Sequence, residues 1–294
     1  MSQVPKESVS VCMTTYNQEK YIAEAIESVL SQKTTFPVEL VIGEDCSKDG
    51  TCFVCQGYTS KLTNIILLDH KANMGLPRNL ALTWEQCKGK YIAMLEGDDL
   101  WSSPDKLQTQ VELMEQHPEY SMCFTRTTIR DEDNPNNHHR QFPYRELTKP
   151  TLTISDMIEH NLIANCSVMY RAGLVPQLPS WMLTLPYCDL ALHCLHLEHG
   201  VAGYIPEFMA IYRMHGGSAF ESKSLAERVR ISTEVYFALS RHLNKPSCCN
   251  QASETLMLML TATTLYSFLA LPLKSKLIWW TLLFKELGHA WRVR

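Results

Sequence analysis

A mainly parallel α/β fold is predicted by three observations. Short runs rich in β-branched and aromatic residues alternate with helical apolar stripes, the connections between them are short, and polar residues collect in the turns that leave the apolar runs. Residues 9–14 read as a buried strand and 14–17, Thr-Thr-Tyr-Asn, as the loop leaving it. A helix follows, because Ile22, Ile26, Val29 and Leu30 share one stripe while Glu19, Lys20, Glu24 and Glu27 occupy other faces. Residues 38–42 are the second strand, 51–62 the next helix and 64–68 the third strand, which leads into His70 and a turn at 73–75. Pro77 suits the first turn of a helix with Leu80, Trp84 and Cys87 on one side. Residues 91–95 are the fourth strand; Ser103 caps a helix opened by Pro104, with Leu107, Val111 and Met114 as its apolar face, and 122–125 are a fifth strand.

Composition removes several function classes. With 294 residues, 45% of them hydrophobic, the chain can bury one large core or two ordinary ones. A net charge of -4 and a pI near 6.3 leave no general basic footprint, so no nucleic-acid partner is expected. Eleven cysteines are scattered through a chain that starts without an apolar signal segment, which points to a reducing cytosol. Cys52 and Cys55 have C-x-x-C spacing, but no second pair completes a zinc set, and helical core cysteines are the expected reading.

Open parallel sheets bind ligands at the carboxyl ends of their strands. That edge collects Thr14 to Asn17, Glu44-Asp45, Asn73 to Arg78 and Glu96-Gly97-Asp98-Asp99. The last group puts three carboxylates into one turn. Close carboxylates repel, and oxygen ligands suit Mg²⁺ or Mn²⁺, so a cation site competes there with a plain polar turn before a helix. No G-x-G-x-x-G follows the first strand, which disfavours a nicotinamide dehydrogenase, and no Gly-rich, Lys-bearing phosphate loop supports a nucleotidyltransferase.

Residues 130–150 lose the pattern and are expected to form a mobile loop. A helix near 154–159, a strand-like 167–170, an apolar helix over 189–199 and short extended pieces at 203–206 and 209–213 follow. Beyond Ser222 the periodicity is helical, with Ile231, Val235 and Leu239 at four-residue steps. Residues 255–273 carry no charge, but their threonines, Tyr266, Ser267 and Pro272 favour a packed helix and turn over a bilayer span. Leu277 to Trp280 and Leu282 to Phe284, flanked by Lys274, Lys276, Lys285, Arg292 and Arg294, suit either an anionic membrane surface or core packing.

Together these motifs resemble glycosyltransferase family 2: the strand with its TTYN loop, 43–51 (GEDCSKDGT), Asn73-x-Gly75-x-x-Arg78-Asn79, Glu96-Gly97-Asp98-Asp99 and Cys188-Asp189. The resemblance spans about residues 8–217. It implies a GT-A fold, Rossmann-like with a mainly parallel central sheet and flanking helices, here followed by an all-helical C-terminal extension. Thr14, Tyr16 and Asn17 then lie in the nucleoside loop, Tyr16 offering a ring to the base. Asp45 matches the acid that hydrogen-bonds base or ribose, although Glu44 and Cys46 depart from the commoner Asp-Asp-Gly form. Arg78 matches a basic position near the donor diphosphate. Glu96 and Asp98 match donor contacts in a DxD-type segment whose final acid, Asp99, binds the metal. Asp189 matches the catalytic base, and His215 a late histidine that approaches the metal or diphosphate, with Arg213 assisting. Asp189, His193 and His196 share one helix face and mimic a zinc set, but packing or acceptor contact is the preferred reading of the histidines.

The resemblance therefore implies an inverting enzyme with Mn²⁺ or Mg²⁺ as cofactor. It would move a sugar from a nucleotide-sugar donor, a UDP-sugar first, to a hydroxyl of a glycan or lipid-linked acceptor in surface-polysaccharide synthesis. A nucleotide-sugar binding or scaffold protein without turnover is the alternative. The expected boundaries are 1–221 for the catalytic domain, with a donor half at about 8–128 and an acceptor half at about 129–221, and 222–294 for the helical extension. The expected location is cytoplasmic, either free or on the inner face of the membrane, with the C-terminal helices as the segment for any peripheral contact.

Overall fold

The strand Val9–Thr15 (β1) is buried along its whole length, as a strand must be when helices cover both faces of its sheet. The computed structural model describes residues 8–134, 140–144, 146–217 and 223–270. After β1 come α1 (Ile22–Leu30), β2 (Val38–Glu44), α2 (Thr51–Thr59), β3 (Ile65–Asp69), α3 (Leu76–Gln86), β4 (Tyr91–Glu96), β5 (Leu100–Trp101) and α4 (Lys106–Gln116). The chain continues through β6 (Tyr120–Asp131), β7 (Gln141–Phe142), β8 (Thr151–Leu152), α5 (Ile154–Glu159), β9 (Val168–Arg171), α6 (Asp189–Leu197), β10 (Val201–Met214), α7 (Leu225–His242) and α8 (Pro246–Ala270).

The strands form one sheet in the order β3-β2-β1-β4-β9-β6-β10-β5. β3, β2, β1 and β4 are parallel, as are β6 and β10, while β9 runs against both β4 and β6. Alternation along the strands feeds two cores. Val9, Val11, Met13, Leu40 and Ile42 pack with Ile22 and Ile26 of α1 and with Leu107 and Val111 of α4. Cys12, Ile92, Met94, Phe124 and Tyr170 face the other way, onto α3, α5 and α6. That second core extends into the C-terminal helices through Val235, Tyr236, Leu239 and Cys248, and the Tyr236 hydroxyl donates to the Ile158 carbonyl at 2.9 Å. α3 lies directly on β2: a Cβ at Gly43 would sit 2.0 Å from Thr83 Oγ1 and 2.2 Å from Asn79 Oδ1.

Several expectations change. Within 130–150, β7 pairs antiparallel with β6, Thr127 opposite Phe142 and Thr128 opposite Gln141, and the Arg126 guanidinium donates to Gln141 at 2.9 Å; a hairpin replaces part of the expected loop, with residues 135–139 and 145 outside the described residues. The two short pieces at 203–206 and 209–213 are one strand, β10, whose register slips on either side of Phe208; Pro206 has no N–H to give the ladder. Cys52 and Cys55 lie unpaired on the helix α2, as expected, and burial raises the Cys55 thiol to about 12. Among the described residues no helix is long and apolar enough to cross a membrane. The expected boundary at 221/222 and the Trp- and Lys/Arg-bearing segment at 274–294 lie outside the described residues.

Candidate active site

Register builds the site. Thr14 pairs with Gly43 on one side and Glu96 on the other, so the tips of β2, β1 and β4 lie side by side. The Thr15 carbonyl accepts the Asp45 amide at 3.1 Å, and the Thr14 carbonyl accepts the Gly97 amide at 3.0 Å. Both acidic turns are thereby sewn to β1.

On the β2 side, Asp45 is 2% exposed. Its two oxygens accept the Met74 and Gly75 amides at 2.7 and 2.9 Å, which pins the turn before α3. Asn17 holds the neighbouring loop: it adopts φ +54°, a left-handed conformation Asn tolerates, and its Oδ1 accepts the Lys48 amide at 2.8 Å. Tyr16, on the same loop, is 38% exposed, while Thr14 is buried. Arg78 is exposed on the first turn of α3 and makes no hydrogen bond or ion pair among the described residues.

On the β4 side the adjacent acids point opposite ways. Asp99 is 2% exposed and its Oδ1 accepts the Arg213 amide of β10 at 2.8 Å. Asp98 is turned outward, its Oδ2 3.1 Å from His215 Nε2, with side-chain exposures of 16% and 10% for the acid and the histidine. The His215 ring packs on Tyr21 at 4.6 Å between centroids. Arg213 lies buried beneath, donating to the Asp98 carbonyl at 3.1 Å and ion-pairing with Glu24 and Glu132. The partly buried Glu96 takes the Asn165 amide on one oxygen.

Crowding shows in the titration of these acids. Burial, reinforced by the Asp98 and Glu96 charges, raises the Asp99 carboxyl well above the usual range. Burial first, then the charges of Asp98 and Asp189, lifts Glu96 to about 7 against the Asn165 hydrogen bond. Asp189 is raised by burial, although hydrogen bonds from the Leu190 amide and the Asn161 side chain hold it down.

The histidines of α6 belong to the core. His193 and His196 are fully buried, His193 Nδ1 lies 2.6 Å from the Tyr170 hydroxyl, and His196 Nδ1 donates to the Leu192 carbonyl at 3.0 Å. Burial lowers them to about 3 and about 4, so both are neutral packing groups against Tyr170 and Trp84.

Asp98 and His215 are of donor types that a small divalent cation takes. Their nearest atoms lie 3.1 Å apart, the separation of a direct hydrogen bond. A carboxylate oxygen with an imidazole nitrogen suits Mn²⁺, and Mg²⁺ when phosphate and water complete the shell. Sequence reading did not find Asn165, Tyr21, Glu24 or Glu132. An Asn in a loop 69 residues from its carboxylate partner carries no local signal.

A model of glycosyl transferase family 2 matches residues 10–176. EpsE of Bacillus subtilis (strain 168), by name a glycosyltransferase, is 38% identical over 246 residues, 82% of this chain and 84% of EpsE. An uncharacterized protein of Mycobacterium tuberculosis (strain ATCC 25618 / H37Rv) is 31% identical over 215 residues, 73% of this chain; the chain spans 61% of that relative's length. Among solved structures, S. aureus TarS 1-349 in complex with UDP-GlcNAc superposes with a TM-score of 0.63 at 17% identity, covering 92% of this chain and 77% of that one. The mannosyltransferase PcManGT from Pyrobaculum calidifontis, in complex with GDP-Man and Mn²⁺, gives 0.57 at 16%, covering 97% and 82%. At these identities the structures speak for the fold, which is of the GT-A type. With the family model matched over more than half of its length and EpsE aligned over four-fifths, this chain belongs to glycosyl transferase family 2.

Proposed function

We propose that this protein is an inverting glycosyltransferase that moves a sugar from a nucleoside-diphosphate sugar, a UDP-sugar first, to a hydroxyl of a glycan or lipid-linked acceptor in surface-polysaccharide or teichoic-acid synthesis. One observation carries the reading: register brings the tips of β2, β1 and β4 side by side, so the Asp45 turn and the Asp98 turn, where Asp98 meets His215, lie at one sheet edge. In this reading the Asp98 turn anchors the diphosphate and Asp189, the first residue of α6, is the base. TarS, whose name describes a poly(ribitol-phosphate) beta-N-acetylglucosaminyltransferase, is 34% identical over 113 residues and supports the UDP-sugar and surface-polymer choice.

In this mechanism the acceptor oxygen attacks the anomeric carbon while its proton passes to Asp189, whose raised affinity for protons favours the step. The bond from that carbon to the diphosphate oxygen breaks, the electron pair leaves on the nucleoside diphosphate, and a single in-line displacement inverts the configuration. The transition state has oxocarbenium character, as in glycoside cleavage. Asp98 and His215 would hold Mn²⁺ or Mg²⁺, which neutralises charge on the departing diphosphate. Asp99, the ligand expected from the sequence, would in this reading serve chiefly to hold the turn, its Oδ1 accepting the Arg213 amide while Asp98 faces His215. Tyr16 offers its ring to the base and Arg78 its guanidinium to the diphosphate. Asp45 and Asn17 act chiefly by fixing the loops around the nucleoside, and Thr14 by fixing the turn at Gly97.

The test measures sugar transfer from a UDP-sugar panel, together with Mn²⁺-dependent UDP binding by calorimetry. Asp189→Asn is expected to bind UDP normally and lose transfer. Asp98→Asn is expected to lose the Mn²⁺ dependence of binding, and Asp99→Asn to keep it at reduced stability. Donor binding without transfer to any acceptor would support the scaffold alternative, and normal turnover by Asp189→Asn would remove the base. Peripheral attachment to the inner membrane face through 274–294 rests on the Trp, Lys and Arg content of that segment; equal pelleting of the full chain and a chain ending at residue 273 with anionic vesicles would refute it.

A further inference from the structure

His215 comes one residue after β10 ends, and two side-chain torsions separate its ring from the backbone. A group that has to meet a ligand from such a position needs neighbours whose own rotamers are locked. Those neighbours lie at the start of α1, where Tyr21 is the N-cap and Glu24 sits in the first turn. The backbone there is pinned, because the Tyr21 and Ile22 amides both donate to the Gln18 carbonyl at 2.9 Å. The Tyr21 ring packs on His215 with centroids 4.6 Å apart and planes 35° apart. The Arg213 guanidinium lies 5.2 Å from the centre of the same ring.

Arg213 is tied in three directions. It ion-pairs with Glu24, approaches Glu132 at 3.2 Å through Nε, and donates to the Asp98 carbonyl at 3.1 Å. The contacts therefore close a circuit: Tyr21 to His215, His215 to Asp98, Asp98 to Arg213, and Arg213 through Glu24 back to the helical turn that carries Tyr21. The Arg213 side chain is 2% exposed and that of Glu24 65%, so a buried charge is tethered to α1 by a surface acid. Desolvation offsets much of the attraction in such a pair, and what it supplies is a fixed arrangement more than net stability.

We propose that Tyr21 and Glu24 are positioning residues for His215: the Tyr21 ring sets the plane of the imidazole, and Glu24 holds the Arg213 guanidinium that backs Tyr21 and the Asp98 turn. The inference rests on the reading given above, in which His215 serves the donor diphosphate. Neither residue touches the donor. The loop that carries Tyr16 runs directly into Tyr21, so the nucleoside and diphosphate ends of the site share one support.

The experiment is a set of double-mutant cycles on the full chain, read as calorimetric affinity for UDP in the presence of Mn²⁺. Tyr21→Ala and Glu24→Ala are each expected to weaken binding about three- to tenfold. Tyr21→Phe keeps the ring and is expected to stay within about twofold of wild type. In a His215→Ala background, Tyr21→Ala and Glu24→Ala are expected to change the affinity by less than about twofold, because residues acting through one group are not additive. Circular dichroism melting checks that each variant is folded, and Glu24→Ala, on the helix surface, decides the matter if Tyr21→Ala is not. Wild-type affinity in either folded alanine variant overturns this inference, as does the same loss with and without His215, which marks a merely structural role; both leave the parent reading standing. Wild-type affinity in His215→Ala, or no UDP binding by the wild type, overturns the parent reading and this inference with it.

Discussion

Replacing Lys106 with Met should change the pH dependence of stability more than stability at any one pH. Lys106 is completely buried on α4; its Nζ donates to Gln110 Oε1 at 2.7 Å and lies 4.3 Å from the centre of the Trp101 ring. The ionisable groups that act on its charge are the thiols of Cys123 on β6 and Cys166 in the turn at 165–167. Burial brings the ammonium down from the ordinary 10.5 to about 7. Between those values the unfolded chain holds a proton that the folded chain does not, so stability rises with pH across the window. Below pH 7 both states are protonated and the full penalty applies, with no further slope. Linkage makes the gain from pH 7 to pH 9 about 2 kcal/mol. In Lys106→Met that gain disappears. The Gln110 oxygen loses its donor at a cost of about 1–3 kcal/mol, but this cost does not vary with pH and cancels from the slope. Urea unfolding of both proteins at pH 7, 8 and 9 should show wild type gaining about 2 kcal/mol on the variant. Parallel profiles would refute the reasoning, because they would mean that Lys106 binds its proton equally in both states.

Two further predictions follow from packing. His196, held at about 4 by burial, should cost the wild type about 2 kcal/mol at pH 5, where the unfolded imidazole is charged and the folded one is not; His196→Leu should flatten the acid limb of a thermal-melt series between pH 6.5 and 4. Gly43→Ala should lower stability by about 1–3 kcal/mol, because the added methyl meets Thr83 Oγ1 and Asn79 Oδ1 at 2.0 and 2.2 Å; an unchanged melting temperature would show that α3 rides further from β2 than described.

The parallel half of the sheet was legible because each of its strands is a short apolar run closed by its own polar turn, and each helix that follows carries a clear apolar stripe. Such local signals do not say where a strand is inserted. Residues 167–170 read as a strand, yet nothing in Val168–Arg171 says that it enters antiparallel between β4 and β6, because that depends on partners 40 or more residues away. The site divides in the same manner. Its four loops could be placed at one edge from strand order, whereas which of the adjacent acids is buried could not. Asp98 and Asp99 are chemically identical and one residue apart. What separates them is the turn in which the Asp99 amide donates to the Glu96 carbonyl at 3.1 Å, and the return of Leu100 and Trp101 to pair with Ile211 and Ala210 of β10. That pairing sets the Arg213 amide over one carboxylate and leaves the other facing His215. The identity of the outward acid is therefore fixed by a strand 110 residues later in the chain, and a metal assignment from the acidic turn alone has no means of choosing between the two.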